Sequence, residues 1–109
     1  MKVKGRYLII FLFLLASLLG KTLNINATDA ETYFKRGDAY VAKGDYDRVI
    51  SDCNKAIEIN PRYAKAYYNR GLIYYFKGNI EKACADARQA CHLGDCEALN
   101  LLQSKGYCK

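Results

Sequence analysis

Three features of this 109-residue chain predict an all-α fold made of two helical hairpins and a single terminal helix. First, the chain resembles itself at an offset of 34: Tyr33 matches Tyr67, Arg36-Gly37 matches Arg70-Gly71, Tyr40 matches Tyr74, Lys43-Gly44 matches Lys77-Gly78, Asp52 matches Asp86 and Ala56 matches Ala90. Second, each copy holds two apolar runs of helical spacing, split by Lys43-Gly44-Asp45 or by Lys77-Gly78-Asn79. Third, a shorter amphipathic run from Cys96 to Ser104 ends at Gly106 with no second run behind it. A fixed period of this kind marks stacked copies of one supersecondary unit.

The chain opens differently. Lys2, Lys4 and Arg6 precede an uncharged apolar run, residues 7–20, and Ile25-Asn26-Ala27 offers small residues for cleavage. A cationic start followed by a short apolar run is the pattern of a secretory signal, and the run is shorter than the roughly 20 residues a spanning helix needs. Residues 1–27 are therefore read as a signal peptide and the protein as exported, periplasmic or secreted. The alternative fate is an uncleaved N-terminal segment that anchors the protein to a membrane. Removing residues 1–27 would take away four of the cations behind the formal charge of +6 and none of the acids. What remains has no long Lys/Arg run, so nucleic acid is not expected as a partner.

Residues 28–94 carry the two repeats, about 30–61 and 64–94, and residues 95–109 the terminal helix and tail. Thr28-Asp29-Ala30-Glu31 has the Thr-x-x-Glu spacing of a capping box for the first helix. Gly44 and Gly78 can end a helix in the left-handed conformation, and Asp45 and Asn79 can cap the next. Asn60-Pro61 closes the first hairpin, because proline cannot continue a helix but fits at the start of one. Asp38, Asp45, Asp47 and Asp52 are read as ordinary helix surface.

A 34-residue helix-turn-helix with small residues at the crossings resembles the tetratricopeptide repeat family. The resemblance rests on Tyr33, Gly37, Tyr40, Ala56 and Pro61 in the first unit and on Tyr67, Gly71, Tyr74, Ala83 and Ala90 in the second. It departs from the family where Tyr stands in place of a frequent Trp, where Cys53 and Ala87 replace a larger side chain midway along helix B, and where Gly94-Asp95 replaces Asn-Pro. The resemblance implies two tetratricopeptide-like hairpins with a C-terminal capping helix, a fragment of an α-solenoid. It also implies a non-catalytic interaction module that holds a peptide or a helix of another protein on the inner face of its A helices. That face would comprise Phe34, Asp38, Val41, Lys65, Tyr68, Asn69, Leu72, Tyr75 and Phe76. The same aromatic stripe could instead pack on the capping helix, or the open face of the first hairpin could mediate self-association. Carboxylate-clamp binding, known among relatives, is not expected, since Phe34 and Asp38 stand where basic and amide groups would be needed.

All five cysteines fall after residue 27, in the part that would be exported, where disulfides persist. Cys84 and Cys91 are two turns apart on one helical face. A capping helix returning antiparallel would bring Cys96 to Cys91 and Cys108 to Cys84, leaving Cys53 as a buried free thiol. The alternative is a small thiol or metal-binding protein that uses Cys84, Cys91, His92 and Cys96, although the spacing matches no usual zinc pattern. No phosphate loop or nucleophile motif is present, so neither an enzyme nor a cofactor is expected.

Overall fold

The computed structural model describes the backbone of residues 25–109 and side chains from Asp29 onward, so the apolar run 7–20 and nearly all of the signal-like segment lie outside the described residues. The described residues form five α-helices in sequence: α1 Ile25–Lys43, α2 Tyr46–Ile59, α3 Ala64–Phe76, α4 Ile80–His92 and α5 Glu97–Ser104. Helices α1 and α2 make the first hairpin, α3 and α4 the second; α2 stacks on α3, and α5 packs on α4 and touches α3.

The turns follow from the residues placed there. Gly44 and Gly78 lie at φ of +71° and +82°, where a side chain would be strained. Immediately after them, the side chains of Asp45 and Asn79 accept the backbone N–H of Arg48 and Lys82, satisfying donors that a helix start leaves open.

Two sequence expectations need correcting here. Helix α1 already runs at Ile25, so Thr28 lies within the helix rather than at its start, whereas a capping box belongs where the chain enters a helix. Pro61 is not the first residue of α3 but sits in the link from Asn60 to Tyr63. There the Asn60 side chain accepts the N–H of Arg62, and the Tyr67 hydroxyl donates to the carbonyl of Pro61.

Small residues bring the helices close. Ala56, Ala66, Ala83, Ala87, Ala90 and Ala98 are all fully buried. A Cβ added at Gly71 would lie 3.1 Å from the Asp86 Cβ and 3.3 Å from the Ala83 carbonyl, and one at Gly37 would lie 3.2 Å from the Asp52 Cβ. The crossing of helices A and B in each hairpin is therefore tight enough to favour glycine, since any added Cβ would push its neighbours back by a few tenths of an ångström. Larger side chains fill what remains: Val49, Cys53 and Ile73 between α2 and α3, and Leu102 with Ala98 under α4.

Beside each glycine an arginine reaches across the hairpin. Arg36 donates from Nε and Nη2 to the carboxylate of Asp52 at 3.0 and 2.6 Å, and Arg70 does the same to Asp86 at 2.7 and 2.7 Å. Asp52, expected at the surface, is only 3% exposed. Its carboxylate tolerates burial because a bidentate guanidinium neutralises it and fills its hydrogen-bonding capacity.

Candidate interaction surface

Helices α1 and α3 stand side by side, and their solvent-facing positions form the surface expected to receive a partner. The Asn69 side-chain amide donates to Asp38 at 3.4 Å, joining the two helices into one face. Lys65 and Val41 are exposed and unpaired with one another, at opposite ends of that face. Tyr68, Leu72 and Tyr75 are half-buried against Ala83, Ala87, Ala98 and Leu102, so the capping helix covers one flank of α3. Burial, then the carboxylates of Glu97 and Asp95, hold the Tyr68 phenol above its ordinary pKa, leaving it a neutral donor. Phe34 turns toward the inter-hairpin core, its ring 5.3 Å from that of Tyr63. Phe76 is the most exposed large apolar residue among the described residues, at 58%.

The structure also brings together residues that the repeat pattern does not single out. Tyr46 stacks on Phe76 with ring centroids 6.1 Å apart, Phe76 meets Tyr75 at 5.7 Å, and Tyr75 meets Tyr107 edge-on at 5.9 Å. This row crosses both hairpins and the C-terminal tail. A signal for it exists: Tyr46 and Phe76 each flank a Gly-centred turn, and Tyr107 follows Gly106 directly.

The cysteines take the expected places: Cys84 is bonded to Cys108 and Cys91 to Cys96, while Cys53 is free and buried. Burial pushes the Cys53 thiol up to about 12; nearby Asp52 and Asp86 add to the effect and Arg70 opposes it. Cys84, Cys91 and Cys96, paired in this way, offer no thiolate to a metal, and His92 stands exposed at the end of α4. Among the described residues no three His, Cys, Asp or Glu side chains converge as a metal site would require. Nor, among them, is any helix long and apolar enough to cross a membrane.

Comparison with known families agrees with this geometry. A family model described as TPR repeat matches residues 37–78, and one described as tetratricopeptide repeat matches residues 64–93. No curated protein matches the chain. The two matches run through both hairpins, from Gly37 at the first crossing to Leu93 at the end of α4, and the chain belongs to the tetratricopeptide repeat family.

Proposed function

We propose that the protein is an exported, non-catalytic interaction module that holds a peptide or helix of a partner protein along α1 and α3. Repeats of this family mediate binding to other proteins or peptides and are typically non-catalytic. One observation carries the reading to this surface: the Asp38–Asn69 hydrogen bond joins α1 and α3, so that Val41, Lys65, Tyr75 and Phe76 belong to a single accessible face mixing apolar and polar groups. Apolar anchors ringed by polar groups are how interaction sites combine affinity with orientation. Export is supported by the cationic and apolar start of the sequence together with four disulfide-bonded cysteines.

Site-specific photo-crosslinking in the native host tests the site. A benzophenone side chain replacing Asp38 or Lys65 is expected to capture one and the same protein, whereas the same group replacing Ser51, exposed on α2, captures none. Equal capture from all three positions, or none from the first two, would refute the reading. Cell fractionation and N-terminal sequencing of the recovered protein test export, with a mature start after Ala27 expected.

A further inference from the structure

The row of rings lies along one edge of the molecule, and its chemistry narrows what that edge receives. Tyr46 opens α2 directly after the first turn, Phe76 closes α3 directly before the second, and Tyr107 follows the end of α5. The edge is thus built from the turns rather than from the inner helix face. Each of α1, α3 and α5 ends there in the same dipeptide, Lys43-Gly44, Lys77-Gly78 and Lys105-Gly106. A lysine at a helix C-terminus is favoured by the macrodipole on its own. Here, however, Lys77 directly follows Phe76 and Lys105 lies two residues before Tyr107, in an aromatic row whose outer members remain accessible, with Phe76 58% and Tyr107 38% exposed.

The local acids cancel only part of this charge and leave Lys43 and Lys105 unmatched. Asp47 is engaged by Lys77, and Asp45 is spent on capping α2 and pairing with Arg48. Lys43 stacks over the Tyr40 ring, and among the described residues Lys43 and Lys105 have no carboxylate within ion-pairing distance. The tail that brings Tyr107 onto Tyr75 is held by the Cys84–Cys108 disulfide, so the row is fixed before any partner arrives.

We infer that this turn edge, with Tyr46, Tyr75, Phe76 and Tyr107 flanked by the unmatched Lys105 and by the exposed Lys77–Asp47 pair, docks an acidic peptide segment bearing a large apolar or aromatic side chain. The apolar side chain packs on the exposed Phe76 and Tyr107 rings while the acids face the lysines. The inference rests on the reading of the protein as an interaction module, shares Tyr75 and Phe76 with the face along α1 and α3, and extends that face to the turn edge with a stated partner chemistry.

The chain has no tryptophan, so a tryptophan-containing peptide reports its own binding by fluorescence. The full-length oxidised protein, kept in a non-ionic detergent, is titrated with an acidic peptide carrying one central tryptophan and with its counterpart in which lysines replace the acids. The acidic peptide is expected to bind at least tenfold more tightly, and the preference to shrink as salt is raised. Phe76→Ser is expected to weaken binding roughly tenfold and Lys105→Glu about fivefold. Both positions are exposed, and circular dichroism verifies that each variant folds; if the serine variant does not, Lys105→Glu decides alone.

Equal affinity for the two peptides, or an unchanged affinity in the folded variants, overturns the inference. So does a loss of binding in Asn69→Ala that Phe76→Ser does not share, which would return the peptide to the face of α1 and α3. A second copy of the chain is excluded by sedimentation: a mass that rises with concentration and reverts in Phe76→Ser would make the edge a self-association surface and refute the acidic partner. Failure of the module reading itself shows separately, in the crosslinking from Asp38 and Lys65.

Discussion

Arg36 and Arg70 occupy the same place in successive hairpins and grip their aspartates through the same two nitrogens, yet the Arg36 side chain is 59% exposed and that of Arg70 only 20%. The difference comes from what lies next door. Arg70 has α2 beside it and donates its remaining Nη1 to Asn54 at 2.8 Å, so one guanidinium ties both helices of its own hairpin to the hairpin before. The outer face of α1 differs in composition as well. Where α3 turns Tyr63, Ala66 and Ile73 toward α2, the equivalent positions of α1 are Asp29, Thr32 and Ala39, all exposed. The first hairpin thus presents a polar outer face, as the terminal unit of a stacked array must.

The contrast repeats on the B helices. Ile50 and Ile57 of α2 pack toward the second hairpin, and their equivalents on α4 are Cys84 and Cys91. Both cysteines are bonded to the segment that forms and follows α5. The stacking positions are therefore apolar where another full hairpin follows and covalent where only a short helix does. An eight-residue helix buries too little to hold itself in place, and the bridges supply what its area cannot.

The sharpest way to break the comparison is to remove its ion pairs one at a time. Arg70→Ala strips a buried carboxylate of its partner and cuts the link to Asn54, and is expected to destabilise the protein by about 4 kcal/mol. Asp52→Ala leaves behind an Arg36 that water can solvate, and should cost only about 1 kcal/mol. Urea unfolding of the oxidised protein followed by circular dichroism measures both. Equal losses would mean that a stranded buried carboxylate costs no more than a stranded guanidinium that water can reach.

The bridges come next. Replacing Cys84 and Cys108 by serine opens a loop of sequence separation 24, worth about 3 kcal/mol by chain entropy, whereas replacing Cys91 and Cys96 opens one of separation 5, worth about 2 kcal/mol. The first pair of substitutions is also expected to free Tyr107 from Tyr75, visible as a loss of the contact between their aromatic protons in NMR. If the short bridge proves the more stabilising, then α5 is held at its start rather than at its tail.

Much of this was legible in the chain. The offset of 34 places Gly37 and Gly71 at both crossings, and the seven-residue separation of Cys84 and Cys91 with a returning helix is enough to place both bridges. Asp52 is the exception, because a lone acid in an amphipathic pattern looks like surface while its carboxylate is buried. The repeat pairs Arg36-Gly37 with Arg70-Gly71 and Asp52 with Asp86, and that joint recurrence was the available sign of a bond across the hairpin. The aromatic row leaves no trace in the sequence beyond its places beside the turns, because Tyr46, Phe76 and Tyr107 share no period. Three separate turns gather them, and a period search sees only what recurs.

Cys53 and Ala87 are equivalent positions, both fully buried, but only one carries a proton that can be lost. The folded protein holds the Cys53 thiol at about 12, against 9.0 ordinarily. Above pH 9 the unfolded chain ionises while the folded one does not, so it is the unfolded state that gains. Stability is then expected to fall by up to about 1.4 kcal/mol per pH unit between pH 9 and 12, and Cys53→Ala should abolish that contribution. Urea midpoints at pH 8 and 10.5 for both proteins read the difference directly. Alkylation at pH 8 should likewise modify Cys53 only when urea is present.

The smallest effect on stability, and the most direct test of the polar outer face, comes from making the first hairpin resemble the second. Asp29→Tyr, Thr32→Ala and Ala39→Ile together give α1 the side chains that α3 turns toward α2. All three positions are exposed, so the change should move unfolding free energy by less than about 0.5 kcal/mol. It would, however, create an apolar face beside an Arg36 whose Nη1, unlike that of Arg70, has no amide acceptor. Among the described residues nothing covers such a face, which favours its burial against another molecule. Sedimentation of the parent chain is expected to show one mass at all concentrations, and that of the triple variant a mass that rises with concentration. If the parent associates equally well through α1, then Asp29, Thr32 and Ala39 do not protect that face, and the first hairpin is an open end rather than a cap.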